Sequence, residues 1–171
     1  VVDADLGLAG GDLRAGERTF QMLSQVAGRA GRESRRGEAL LQTLDPENPV
    51  LTSLLSGDRD QFLATEAAAR AHAGMPPFAQ LAAVILSAPE DTKLHEAMRL
   101  LAANRPVFDN VDCFGPAMAP LAYLKGRHRA RFLLRVEKNI DLQHILRGWL
   151  ANVKLPAQVR LHIDIDPYSF L

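Results

Sequence analysis

With 171 residues, 47% of them hydrophobic and 23% charged, the chain is long enough to bury a real core, as one medium domain or one domain with an appendage. Its 20 lysines and arginines balance 20 aspartates and glutamates, so a nucleic-acid partner would need a local patch rather than a whole-chain field. A single cysteine, Cys113, excludes an internal disulfide framework and a cysteine-rich zinc site, and it fits a reducing cytoplasm. No apolar run approaches the roughly 20 residues that span a bilayer, and the first residues do not read as a signal peptide, so no membrane partner is expected. The chain opens on Val1-Val2-Asp3 without an initiator methionine, and is expected to be a piece of something longer.

Residues 1–46 read as strand, helix, strand. Val1 to Asp5 resembles the end of a strand entering a loop with Gly7, Gly10 and Gly11. A helix is predicted from about Ala15, with Phe20, Leu23, Val26 and Ala30 on one face. It runs into Gln25-Val26-Ala27-Gly28-Arg29-Ala30-Gly31-Arg32. Helical spacing stacks Arg29 and Arg32 on one side, while Gly28 and Gly31 leave the backbone uncrowded. Planar forks of fixed charge suit phosphate oxygens; the plainer alternative is a solvated basic helix end. Glu38 to Leu44 reads as a short strand closed by Asp45-Pro46. Such a slice of an α/β unit cannot shelter both faces of its strands. It must pack on the rest of a domain or on a substitute surface, such as a second copy.

Residues 47–77 read as a helical connector. Asn48-Pro49 offers an N-cap with proline at the first helical position, and Gly57 offers a stop. Asp58 with Gln61 makes a capping box for a second helix running to about Ala73, broken by Gly74-Met75-Pro76-Pro77. Arg70 and His72 read as surface residues.

Residues 78–171 form the last segment. Ala79 to Ser87 is apolar on both faces, as a central strand is. Asp91 to Asn104 is helical, with Leu94, Ala97, Met98 and Leu101 as its stripe. Val111 to Phe114 reads as a short strand, followed by a loop through Gly115-Pro116, Pro120 and Gly126. Arg129 to Glu137 alternates Ala130, Phe132, Leu134 and Val136 against Arg129, Arg131 and Arg135. Leu142, Ile145, Leu146, Trp149 and Val153 mark another helix, and Val159 to Ile165 alternates again. The expected class is α+β, with the βαββαβ order of a ferredoxin-like, split βαβ domain.

The densest positive charge is Lys125, Arg127, His128, Arg129, Arg131 and Arg135. Lys125, Arg127, Arg129 and Arg131 are the candidate DNA contacts, since alternate cations on a strand can track phosphates. The competing reading is a solvated face paired with acids such as Glu137. Without exposed aromatic side chains on that face, phosphate or inter-domain contact is preferred over base reading. His162, Asp164 and Asp166 share a strand face and read as solvent and ion-pair positions rather than metal ligands. Asp3 and Asp5 could touch a nucleotide-bound cation, but a polar strand end is the simpler reading. Trp149 and Phe132 are assigned to packing.

The string Gln25 to Arg32 resembles motif VI of superfamily 2 helicases, QxxGRxGR. Taken in order, several further strings resemble the primosomal protein N′ family of replication-restart helicases over essentially the whole chain. They are Asp3-Ala4-Asp5, Glu17-Arg18-Thr19-Phe20, Met75-Pro76-Pro77-Phe78, the segment from Gly115-Pro116-Ala117 to Gly126-Arg127, and Ile163-Asp164-Ile165-Asp166-Pro167. The resemblance implies that residues to about Pro46 are the last part of a second RecA-like lobe. The remainder would be a C-terminal domain tied to branched DNA and to the tail of single-stranded DNA-binding protein. It further implies an ATP-driven 3′-to-5′ DNA helicase that reloads the replisome with other primosome proteins, using ATP, Mg²⁺ and zinc.

By the same resemblance Arg32 is the arginine finger on the γ-phosphate, Arg29 its partner, and Gln25 a residue that orients the nucleotide beside Gly28 and Gly31. Phosphoryl transfer needs mainly the stabilisation of spreading negative charge. This chain carries no phosphate loop, no acidic Mg²⁺ box and no cysteine cluster for zinc, so by itself it is not expected to hydrolyse ATP. Lys138 and Gln143 are the expected contacts for the acidic, apolar-ended partner tail, although Asn139 stands where a second cation would help. The rival reading is a stand-alone ferredoxin-like interaction or dimerisation module with no nucleotide role. RNA binding by the sheet would instead require exposed sheet aromatics.

Overall fold

In a computed structural model, which describes residues 1–8, 12–30 and 38–167, five helices and four strands divide between two units, Val1–Ala69 and Arg70–Leu171. Among the described residues no helix is long and apolar enough to cross a membrane.

In the first unit, α1 (Ala15–Ala30) buries Thr19 and Leu23, while Val26 is largely outside. Leu23 forms a small core with Ala4 and Leu51, edged by Leu41 and Leu54. Phe20 stacks on Phe62 with ring centres 4.3 Å apart and planes within 1°. α2 (Pro49–Ser56) begins as expected: Asn48 Oδ1 accepts from the Val50 N–H at 3.0 Å. It ends at Gly57 with φ 70°, a left-handed turn natural to glycine. α3 (Arg59–His72) starts where Asp58 Oδ1 accepts from the Gln61 N–H at 2.8 Å.

Glu38 to Leu44 is not the strand the sequence suggested. The segment makes three backbone bonds to the first residues: the Val1 amino group donates to the Leu40 carbonyl at 2.7 Å, Gln42 N–H to the Val1 carbonyl at 3.0 Å and Ala4 N–H to the Gln42 carbonyl at 2.8 Å. Asp3, at φ 59°, kinks the chain before the last of those bonds, so the pairing does not continue into a ladder. Asp5 completes the attachment. Its carboxylate accepts from the Thr43 hydroxyl at 2.6 Å and the Leu44 N–H at 2.7 Å. Those two donors, the Thr43 hydroxyl first, hold its pKa below the ordinary carboxylate value.

In the second unit, β1 (Ala79–Ala88), β2 (Val111–Leu124), β3 (Arg127–Glu137) and β4 (Arg160–Ile165) form one sheet in the order β2-β3-β1-β4, with every neighbouring pair antiparallel. α4 (Asp91–Ala103) and α5 (Leu142–Ala151) supply the rest of the core. Leu94, Ala97, Leu101, Leu146 and Trp149 pack with Ala82, Val84, Leu86, Phe132 and Leu134. The buried indole meets Phe132 edge-on at 5.4 Å, and its N–H donates to the Leu101 carbonyl at 3.1 Å, so its polar atom is satisfied.

β2 is the larger correction. The expected loop after Phe114 is strand as far as Leu124, interrupted by register shifts between Phe114 and Ala117 and between Met118 and Tyr123. Pro116 and Pro120 argue against a central strand but are tolerated on an edge, where a missing N–H and a bulge cost little. Gly115 has φ 106°, and a Cβ there would sit 2.9 Å from the Arg131 carbonyl oxygen. The strand reverses through Lys125-Gly126 at φ 49° and 75°, a two-residue hairpin turn.

Two measurements check this packing. Phe132→Ala is expected to destabilise the second unit by about 3–5 kcal/mol, read from urea unfolding followed by Trp149 fluorescence. A loss under about 1 kcal/mol would contradict the burial assigned to this ring. At the other end, a carboxyl NMR titration is expected to place the Asp5 midpoint below that of an ordinary aspartate. A folded-state pKa lowered in this way adds stability above the unfolded value, and that stability is lost as pH falls through the folded value. Thr43→Val is expected to move the midpoint upward; an unmoved midpoint would remove the hydroxyl bond from the account.

Candidate nucleic-acid interface

Alternation along β3 sends Ala130, Phe132, Leu134 and Val136 to the helix-covered face, so Arg127, Arg129, Arg131 and Arg135 fall on the other. Pairing with the central strand extends this pattern across the sheet. Arg129 lies opposite Ser87, which on its other side lies opposite Arg160. One step along, Arg131 lies opposite Ile85, and Ile85 opposite His162. Strand geometry separates the two columns by about 10 Å and the two rows by about 7 Å. Arg160 and His162 are exposed, and Arg129 and Arg131 half-buried. Among the described residues Arg129 and Arg160 have no hydrogen-bond or ion-pair partner, whereas Arg131 has a contact of its own. Such a grid presents cations along two lines, and a line of cations can follow a phosphate backbone.

The other members of the basic run do different work. Arg127 spends its donors on structure: Nη2 reaches the Ser87 carbonyl at 2.8 Å and the Gln158 carbonyl at 2.6 Å, and Nε reaches Ser87 Oγ at 3.2 Å. It ties the end of β1 to the turn before β4. Lys125 stands exposed at the hairpin tip. His128 points to the helix side, 3.7 Å from Asp91 and edge-on to Tyr123. Arg135 donates to Asp112 Oδ2 through Nε and Nη2 at 2.9 and 2.8 Å, and through Nη1 to the Ala73 carbonyl at 2.6 Å. Its guanidinium lies 5.5 Å from the centre of the Phe114 ring.

Farther along the same face, Asp164 lies opposite Ala83. Asp166 closes the strand by accepting from the Leu81 N–H at 3.1 Å and donating its own N–H to the Leu81 carbonyl at 2.8 Å. No group of three metal-ligating side chains occurs among the described residues. Cys113 packs at the edge of the helix-side core, and burial pushes its thiol pKa up.

At the end of α1, Gln25, Gly28 and Arg29 are exposed, and Gln25 borders a cleft of about 730 Å³ with Phe20, Ser24, Leu54 and Phe62. Among the described residues, a Cβ on Gly28 would meet nothing within 4 Å. Gly31 and Arg32 lie outside the described residues.

On the helix side, Gln143 lines a groove of about 560 Å³ with Leu146, Arg147, Leu150, Ile163 and Ile165. Lys138 is exposed elsewhere, its carbonyl accepting from Gln80 Nε2 at 2.9 Å. The cation beside Gln143 is therefore Arg147, one helical turn on. The i, i+4 spacing held that information; Arg160 on the basic face had no such local signal.

Residues 71–168 match the family model described as the primosomal protein N C-terminal domain. The chain is 44% identical over 170 residues to the replication restart protein PriA of Rickettsia felis, an alignment covering 99% of this chain and 26% of that protein. It is 35% identical over 172 residues to the replication restart protein PriA of Treponema pallidum, covering 98% and 26%. With that of Bacillus subtilis it shares 30% identity over 178 residues, covering 100% and 22%. The chain thus spans about a quarter of the length of these relatives.

Proposed function

The chain belongs to the primosomal protein N C-terminal domain family, and from that premise we propose that it is the C-terminal part of an ATP-dependent, replication-restart DNA helicase whose basic sheet face holds the phosphate backbone of branched and single-stranded DNA. The observation that carries this reading is the grid of Arg129, Arg131, Arg160 and His162 on one face, two of its arginines without a partner among the described residues. Its floor, Ser87 and Ile85, offers little with which to read base edges, so the contact is sequence-independent. Lys125, at the adjoining hairpin tip, extends the same field.

The strand order β2-β3-β1-β4 with helices between is consistent with a ferredoxin-like C-terminal domain. In this reading α1 closes a second RecA-like lobe. Arg29, with Arg32, reaches the γ-phosphate of an ATP held with Mg²⁺ by a phosphate loop that lies outside this sequence, and Gln25 orients the nucleotide. An arginine at a helix end adds transition-state charge stabilisation but needs the other half of the site. The open space around Gly28 suits approach by a surface this chain does not itself provide. Zinc would be held elsewhere, since Cys113 alone makes no ligand set here.

The groove at Gln143 and Arg147 suits the partner tail of single-stranded DNA-binding protein. Its apolar wall of Leu146, Leu150, Ile163 and Ile165 would take the apolar end, and Arg147 the acidic charge.

Two experiments test this reading. Replacing Arg129 and Arg160 together by alanine is expected to weaken DNA binding equally across sequences and to flatten its log–log salt dependence by about 0.7–0.9 per lost contact. Unchanged binding would favour the rival interaction module, which is indifferent to DNA. With a labelled acidic tail peptide, Arg147→Ala is expected to weaken binding by about 10- to 150-fold, the size of one charge-assisted contact. If Lys138→Ala weakens it instead, the groove is not the docking place.

A further inference from the structure

The basic face is not made of cations alone. Phe114 on β2 lies opposite Leu133, which places its ring on the face that carries the β3 arginines, and the residue is 47% exposed. This differs from the expectation that the face offers no exposed aromatic side chain. An exposed phenylalanine on a strand face is a cost in water unless something covers it. What lies beside it here is fixed charge. Asp112 grips Arg135 through two nitrogens and the Ala73 carbonyl takes a third, so the guanidinium 5.5 Å from the Phe114 ring centre is ordered before any ligand arrives. Arg131 is the diagonal neighbour of Phe114 across the β2–β3 pair, at a separation of roughly 7–8 Å. That span is comparable with the reach from the phosphate to the base within one nucleotide. Straight across from Phe114, over Leu133 and Ala83, lies Asp164 on β4 at three strand spacings, roughly 15 Å; His162 and Arg160 stand two and four residues along from it, so the line through Arg131 crosses the sheet obliquely to reach them at roughly 16 and 20 Å from Phe114.

An aromatic platform at one end of a phosphate-tracking path has use for a base only if the base is unpaired. In a duplex the base faces are already stacked on their neighbours, whereas every base of a single strand can offer one. Arg135 completes the arrangement from one side of the ring as a cation held over a π-face. We propose that this face takes single-stranded DNA, with one base stacked on Phe114 and the neighbouring phosphates running across the sheet past Arg129 toward Arg160 and His162. The inference rests on the basic face being the DNA contact, and it adds a base-stacking contact and the residue that makes it.

The test compares an oligothymidine with a fully abasic strand of the same length and charge, using the whole chain and fluorescence anisotropy. The unaltered chain is expected to bind the oligothymidine about 5- to 100-fold more tightly, the range for one stacked base. Phe114→Leu is expected to bind both strands alike with an unchanged salt slope, and Phe114→Tyr to keep the preference. Should the Leu variant fold poorly, Phe114→Val, β-branched and suited to an edge strand, takes its place. No preference in the unaltered chain overturns the stack, and so does a preference that survives loss of the ring. The joint Arg129→Ala, Arg160→Ala variant separates the two levels. It is expected to weaken both strands by the same factor and to leave the preference intact. If it weakens neither, the basic face itself is not the contact, and the stack falls with it. If it weakens both while Phe114→Leu keeps the preference, only the stack fails.

Discussion

The second unit depends on the register of β1 between β3 and β4. Because side chains alternate with a period of two, Leu86 opposite Ala130 places Ser87 opposite Arg129, and the same parity carries across to Arg160. A slip of one residue would drive Arg129 and Arg131 into the space held by Leu94, Leu101 and Trp149 and send Phe132 and Leu134 to the other face. Burying unpaired guanidinium groups would cost far more than a strand pairing returns. The helix-side core and the basic face are thus one choice, made by the same pairing. Arg127 reinforces it by joining Ser87 to Gln158, the turn that delivers β4 to its place.

β2 is under a weaker constraint, and its chemistry reflects that. An edge strand pairs on one side only, so it can carry Pro116, Pro120 and two register shifts without breaking a ladder on both sides. Those irregularities also blunt an edge that holds no charged side chain between Cys113 and Leu124. Gly115 serves both ends: its left-handed backbone turns the strand, and its missing Cβ lets the chain pass the Arg131 carbonyl. The cost of leaving Phe114 in water is easier to understand on a strand whose shape is set by its neighbours rather than by its own burial.

What the sequence made legible was local. The caps at Asn48, Gly57 and Asp58 are formed by residues within three positions of the groups they satisfy, so their chemistry reads directly from the string. The stripes of α4 and α5 and the alternation of β3 read for the same reason. Pairing across long separations did not. Arg160 and His162 looked like ordinary polar positions until β1 brought them beside Arg129 and Arg131. The prolines of β2 spoke for a loop because proline is a statement about the backbone N–H, and whether that N–H faces a neighbour is settled only by strand order. Glu38 to Leu44 shows the converse: an apolar run becomes a strand only where another strand receives it, and the kink at Asp3 stops the pairing with Val1 to Asp5 after three backbone bonds.

The two units differ in what their charged residues require to act. Arg29 stands exposed at the end of α1, and among the described residues nothing lies within 4 Å of a Cβ on its neighbour Gly28. A guanidinium in open water gains little from a phosphate, because the high dielectric and mobile ions screen both; the same group in a dry cleft gains a great deal. In the proposed role the motif therefore needs a second surface to lower the dielectric around it as well as to bring the nucleotide. The sheet face does not. In the proposed contact, a backbone of closely spaced phosphates would supply its own field and release its counterions as Arg129 and Arg160 replaced them, so shallow, solvated arginines would suffice. Chemistry on ATP asks for an enclosed site shared between surfaces, while the proposed hold on DNA asks only for charge along a path, and one sheet of this chain carries its cations in two columns.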